Sequence, residues 1–291
     1  MVNRLVIAAT GQPEVANAWR SLVGPKDKIG IKISAAGGEI FTTHRDVVNA
    51  IVDGLAAAGH ARGDIIVWDR SLAGAAAAGY RGEGYRLVSI APREGYDPKR
   101  VISAPMMGKL IWGDVDYEPM PVALLPDTEN TSSLSHVARV LGEVTKVINV
   151  PVMTDSETNG IAGCIFNMTV PNVDNWRRFT QPEPFGASTL GEIYSDPGIG
   201  GKVVLNIVDG LVAEFAGGPR ARPNYQLEYA TIYASRDPVA LDAVMLRKIA
   251  EWRARASLPS LARRATHVQA AAQLGLGNAD AQKIIVRDVS P

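Results

Sequence analysis

Apolar and polar positions alternate along the chain between short β-rich runs and stretches with helical spacing, the pattern of βαβ units around a mostly parallel sheet. KIGIKIS, residues 28–34, is β-rich and stops at Ala35-Ala36-Gly37-Gly38. The following THRDVVNAIVDGLAAAG spaces Val47, Val48, Ile51, Leu55 and Ala58 as one helix face, with Thr43 as N-cap, Asp46 in the first turn and Gly59 as the stop. DIIVWDRS then reads as a strand ending at Asp69, which completes a right-handed crossover. SLAGAAAAGYRGEGYRL predicts a short helix of small residues ending near Gly79.

Further strands are expected at KVINVPVM (146–153), at GKVVLNIVDG ending in Asp209, and at YATIYAS (229–235). DPVALDAVMLRKIAEWRARA places Val239, Leu241, Val244, Met245, Ile249 and Trp252 on one broad helical face, with Pro238 tolerated in the first turn. AQKIIVRDVS is expected to close the chain as an edge strand, and MVNRLVIAATG to open it as a peripheral one. Residues 95–140, punctuated by Pro98, Pro105, Pro119, Pro121 and Pro126, are the least periodic and predict an irregular insertion or lid. The expected fold is therefore α/β: a mostly parallel sheet with helices on both faces, one domain over residues 1–291, plus this Pro-rich excursion.

Composition narrows the function classes. Thirty basic residues balance thirty acidic ones, so no global field draws phosphate backbones or anionic lipid, and neither nucleic acid nor a membrane surface is an expected partner. No window approaches about 18 uninterrupted apolar residues. A soluble, cytoplasmic protein is expected, although a chain trimmed of an export signal would read the same way. The single cysteine, Cys164, allows no internal disulfide and no four-thiolate cluster held by this chain alone. The four histidines lack zinc spacing, and no G-x-S-x-G elbow is present.

Three expected core strands each finish in an aspartate: Asp69, Asp155 and Asp209. Ligands of open parallel sheets bind outside the carboxyl ends of the strands, so parallel neighbours would bring these carboxylates to one rim. Such a rim suits acid/base catalysis, hydrogen bonding to substrate hydroxyls, or a divalent metal. The plainer reading is that each aspartate ties down the turn after its strand. Lys32 interrupts an apolar strand, so its ammonium should meet a carboxylate or an anionic ligand unless it faces solvent. His44 is the histidine nearest the rim. Asn159, Asn167, Asn172, Asn175, Arg177 and Arg178 could line a polar pocket, and the arginines of AGGPRARPNYQ (216–226) could recognise a carboxylate.

The order of GIKIS, THRDVVNAIVDG, IIVWDRS, VINVPVMTD, GIAGCIFN, VDNWRRF, VLNIVDGLVAEFAGGP and ASRDPVALDAV resembles the family defined as domain of unknown function 362. The resemblance covers almost the whole chain and implies the fold. Members of that family are often exported or fused to ferredoxin modules, which implies metal-assisted or redox chemistry as an alternative. This chain departs from the family's pattern at four positions. Thr154-Asp155-Ser156 stands where Lys-Asp-His is common, Phe166-Asn167 where Lys-Asn is common, and Arg178-Phe179-Thr180 where Arg-Phe-His is common.

The reading that follows is a small-molecule biosynthetic enzyme, an isomerase, lyase or cyclase, without an organic redox cofactor. Asp69, Asp155 and Asp209 are its candidate catalytic residues. Lys32, His44, Asn159, Asn167 and Arg178 are its candidate substrate-binding residues, with Asn167 and Arg178 holding an oxyanion or a carboxylate. No metal ligands are assigned. A divalent metal ion is the alternative cofactor, and a non-catalytic binding protein is the alternative role. The edge strand and the Pro-rich excursion leave a homodimer open.

Overall fold

A computed structural model describes residues 1–91, 93–102, 135–181 and 187–289. Its helices are α1 (Val2–Thr10), α2 (Val15–Leu22), α3 (Arg45–Ala57), α4 (Ala73–Ala77), α5 (Val140–Glu143), α6 (Cys164–Thr169), α7 (Leu190–Tyr194), α8 (Pro238–Arg255) and α9 (Thr266–Gln273). Its strands are β1 (Ile29–Ile33), β2 (Ile66–Asp69), β3 (Arg86–Ser89), β4 (Tyr96–Ile102), β5 (Ser135–Ala138), β6 (Lys146–Val150), β7 (Val152–Ser156), β8 (Gly160–Ile161), β9 (Val203–Glu214) and β10 (Gln226–Ser235).

The central sheet runs β3-β2-β1-β6-β9, all parallel. Pro151 breaks the run expected at 146–153, because it has no amide to give the ladder. The chain resumes as β7, still parallel to β9, so β6 and β7 lie end to end along one edge of β9. Antiparallel β10 pairs with the other edge of β9, and β8 forms a short antiparallel pair with β7. From β1 the chain order runs outward to β2 and β3 on one side, while β6 lies on the other. The sheet's topological switch point is therefore between β1 and β6.

Both faces are covered. Ile29, Ile31 and Ile33 point to one side with Ile148, Val150, Leu205 and Ile207, beneath apolar residues of α1, α2 and α3. Trp68, Val147 and Val208 share the other core with α6, α7, α8 and α9. Of the expected excursion, β4 and β5 form a separate antiparallel pair, and residues 103–134 lie outside the described residues.

Four expectations change. The amino terminus is a helix, because Val2 and Val6 are the buried positions and their four-residue spacing fits a helical face. AQKIIVRDVS forms no strand over its described residues, and Ile285 and Val286 are exposed. Asp209 lies inside a strand, since pairing with β10 extends β9 to Glu214. His44 rather than Thr43 holds the N-cap position of α3. The Thr43 hydroxyl instead bridges strands, accepting from the Ser34 amide at 2.9 Å and donating to the Val150 carbonyl at 2.8 Å.

Among the described residues no helix is long and apolar enough to cross a membrane.

Gly54 is required by packing rather than by backbone conformation. The fully buried Trp19 indole of α2 lies directly on it, and an added Cβ would overlap Nε1 and Cδ1 of that ring. Gly54→Ala gains helix propensity yet overpacks the α2–α3 contact. It should lower stability by about 1–3 kcal/mol in urea unfolding; an unchanged or higher midpoint would contradict this packing account.

Candidate functional site

A row of polar groups crosses the sheet at a single register. Lys32, Asn149 and Asn206 are consecutive partners on β1, β6 and β9, flanked by Trp68 on β2 and Ser235 on β10. Lys32, Asn149, Asn206 and Trp68 are fully buried. The Lys32 ammonium donates to Asp69 Oδ1 at 2.7 Å, to Asn167 Oδ1 at 3.1 Å and to the Ile33 carbonyl at 2.6 Å. Its three N–H groups therefore each have an acceptor. Asn167 passes the chain on to Asn149 Oδ1 at 2.8 Å, and Asn149 donates to Asn206 Oδ1 at 2.8 Å and to the Cys164 carbonyl at 3.0 Å. Burial pushes the Lys32 ammonium below its ordinary range, and the Asp69 carboxylate pulls it back up.

Outside the carboxyl ends of β1, β2 and β7 lies a cavity of about 660 Å³, within the range of small-molecule sites. Its floor is Asp69 and Asn167, both held by Lys32. The loop after β1 (Ser34, Ala35, Ala36, Gly38), the residues after β2 (Arg70, Ser71) and those after β7 (Glu157, Thr158) form its walls, together with Gly217, Gly218, Pro219 and Arg220 after β9. Phe166, Val170 and Trp176 supply apolar surface. The Arg70 guanidinium lies 4.5 Å from the Trp176 ring centre, and that of Arg177 lies 4.8 Å away.

Asp69, Asp155 and Asp209 lie on parallel strands of one sheet, but β2 is separated from β9 by β1 and β6, so the three are not on neighbouring strands, and only Asp69 lines this cavity. Its Oδ1 also accepts from the Arg70 amide, and its Oδ2 from the Ala35 amide, each at 2.7 Å. Asp155 is fully buried behind the wall, where it accepts from the Gly217 amide at 3.1 Å and the Gly218 amide at 2.9 Å. Burial pushes its carboxyl up to about 7. Asp209 is also buried and accepts from the His44 amide at 2.6 Å and His44 Nδ1 at 2.8 Å. That hydrogen bond raises the His44 imidazole above its ordinary value. The structure therefore makes Asp155 and Asp209 fasteners of backbone that leaves other strands, after β9 and after β1, and separates them from the cavity surface.

Of the candidate binding residues, Asn167 lines the cavity. Lys32 lies beneath it with no exposed surface, and His44 is spent on Asp209. Asn159 is fully buried, donating to the Phe179 carbonyl at 2.7 Å and accepting from the Thr158 hydroxyl at 2.8 Å. Arg178 is buried and is not among the lining residues. Cys164 is a buried thiol at the start of α6. The sequence reading missed Arg70 and Trp176; the signal for Arg70 was its place directly after a strand-end aspartate. It also missed Asp242, a fully buried carboxylate on α8 that accepts from the Cys164 and Ile165 amides at 2.5 and 3.0 Å. Asp242 thereby fixes the amino end of the short helix that carries Phe166 and Asn167. Among the described residues, no three or more His, Cys, Asp or Glu side chains gather as a metal site would need.

Fold and cavity define an α/β protein with a ligand-sized cleft at the carboxyl ends of its parallel strands. The model of a family described as domain of unknown function (DUF362) matches residues 28–247, and the chain belongs to that family. No curated protein and no solved structure matches it. Of the four positions where the sequence departs from the family's pattern, three, Ser156, Phe166 and Thr180, line the cavity.

Two stability measurements test the buried charges. Lys32→Met strands Asp69 without its counterion and should cost ~3–5 kcal/mol in urea unfolding. Lys32→Met combined with Asp69→Asn should recover part of that loss, whereas additive losses would deny the coupling. Burial likewise pushes the Asp242 carboxyl up to about 7. A raised carboxyl contributes stability fully present below its unfolded value and lost as pH rises through the folded one. Asp242→Asn removes that dependence, so its melting temperature relative to the native protein should climb between pH 5 and pH 8; a flat difference would refute the assignment.

Proposed function

We propose that this cleft is the active site of an enzyme acting on a small anionic organic molecule, with the Asp69 carboxylate as the proton-transferring base. The observation that carries this reading is the position of Asp69. It forms the floor of a ligand-sized cavity at the sheet's carboxyl ends, fixed there by a fully buried ammonium. Asp69 and Lys32 cancel one another's charge. Glu157 is shared with Arg253 and Arg264, at 3.4 and 3.3 Å. Arg220, on the wall after β9, therefore leaves the lining with a cation suited to a carboxylate or another anion. Phe166 and Trp176 offer apolar surface to the rest of an organic substrate.

In the proposed step the substrate's acidic C–H or O–H gives its proton to Asp69. The electron pair left behind is delocalised into the substrate. The resulting Asp69 carboxylic acid remains hydrogen-bonded to Lys32. Returning the proton to a different substrate atom gives isomerisation, and expelling a leaving group that takes the proton gives elimination. Redox neutrality is kept in both cases.

The test incubates the purified protein, and separately its Asp69→Asn variant, with a carboxylate-enriched metabolite extract followed by mass spectrometry. The native protein should deplete an anionic compound at least ~10²-fold faster than the variant, with the variant's folded state verified by its melting curve. Equal rates would overturn the role of Asp69. A compound that raises the native melting temperature but is never converted would show a binding protein instead.

A further inference from the structure

The cavity wall contributed by Gly217, Gly218, Pro219 and Arg220 is fastened from behind by Asp155, with longer contacts from the Gly217 amide to Glu157 Oε1 at 3.3 Å and from the Glu157 amide to the Gly218 carbonyl at 3.4 Å. Asp155 holds two successive amides of this wall with its two carboxylate oxygens, Oδ2 to Gly217 and Oδ1 to Gly218. Gly218 sits so close to β7 that an added Cβ would overlap the Asp155 carbonyl and the Thr154 hydroxyl. The remaining attachments flank this contact. The Phe215 carbonyl accepts from Arg253 at 2.9 Å, and the Arg222 amide donates to Glu214 at 2.6 Å.

We infer that Asp155 is a positioning residue that acts as a proton-operated catch, holding the Gly217–Arg220 wall against the cavity as a carboxylate and releasing it on taking a proton from solvent. This rests on the reading of the cavity as a ligand site, whose access it would control. A carboxylate accepts from both amides at once; a carboxylic acid keeps one good acceptor and turns the other oxygen into a donor, which no longer accepts from its glycine amide. The charged groups facing Asp155 are Glu157 on its own segment, Glu214 from β9 and Arg253 from α8, whose Nη1 lies 3.5 Å away. Arg222 meets Glu214, and Arg264 meets Glu157. Desolvation and two carboxylates thus oppose the Gly218 amide and one partly shared guanidinium, and the balance places the transition close to neutral pH.

Linkage gives the catch a signature that ordinary acid loosening lacks. Because the folded carboxyl is raised, protonating Asp155 stabilises the fold as a whole even while the wall loses an amide contact. Wall protection and global melting temperature should therefore move in opposite directions as pH falls.

Amide hydrogen exchange of the peptide spanning residues 215–222, corrected for intrinsic exchange chemistry and measured without ligand, tests this. Protection in the native protein should drop ~10-fold or more between pH 8 and pH 6. Asp155→Asn should be weakly protected at both values, and Glu157→Gln should keep the step. Should Asp155→Asn fail to fold, ¹⁵N-glycine labelling of the native protein still decides, since the Gly217 and Gly218 amide shifts should titrate together near pH 7. Protection that is level across this range, amide shifts that do not titrate, or a step abolished by Glu157→Gln would overturn the catch. None of these readouts involves turnover or ligand, so the proposed activity stands or falls separately.

Discussion

The buried ammonium of Lys32 is the constraint around which the rest is arranged. A charge without exposed surface must be met by acceptors on every side. Those acceptors come from three separated parts of the chain: its own strand, the end of β2 and the middle of α6. Satisfying the ammonium therefore fixes β1 against β2 and docks α6 on the sheet. It also aims the Asp69 carboxylate toward the space where the strands end. A one-residue slip of β1 would turn Lys32 toward the isoleucine-rich core under α1–α3, so the ion pair specifies register as well as charge.

Polar groups at the same register on the neighbouring strands extend the same logic. Asn149 and Asn206 would each be costly orphans alone, yet together with Asn167 they pass hydrogen bonds from β1 to β9 without a break. The strand-end aspartates then serve the loops. A loop leaving the carboxyl end of a parallel strand presents unpaired amides, and a carboxylate on the same strand or its neighbour is the strongest acceptor available to them. Asp69 holds Ala35, Asp155 holds Gly217 and Gly218, and Asp209 holds the start of α3. The cavity is thus walled by loops tied from behind, and its shape is as rigid as those contacts.

The alternation of β-rich and helical segments made the α/β class, β1, β2, α3 and α8 legible in the sequence. The need of Lys32 for a carboxylate or an anionic ligand was legible too, but only for a buried strand, because an edge strand would have let it face solvent. What stayed hidden depends on neighbours distant in sequence. VIAAT fits either period until burial selects Val2 and Val6, and IIV near residue 285 is β-prone but finds no strand partner among the described residues. The aspartates expected at strand ends directed attention to the carboxyl ends of the strands, where the cavity lies. Which of them would face the cavity depended on side-chain direction within each strand and on the extension of β9 past Asp209, neither of which periodicity encodes. Asp242 escaped notice because it lies within an otherwise apolar helix face, where its only signal was the incongruity of a carboxylate there.

The departures from the family's pattern bear on what the cavity can hold. At position 166, where a lysine is common, the phenylalanine ring forms part of the wall, and at 156 and 180 small hydroxyl side chains stand where histidines are common. With a lysine at 166 a second ammonium would stand one residue from Asn167, beside a carboxylate already paired with Lys32. Phenylalanine removes that charge and leaves Asp69 with a single ammonium partner among its hydrogen bonds. The remaining cations, Arg70 and Arg220, lie on the walls, after β2 and after β9, while the floor is electrically balanced. Under the proposed function, the carbon skeleton of an organic substrate would lie over Asp69, whose ammonium partner is the buried Lys32.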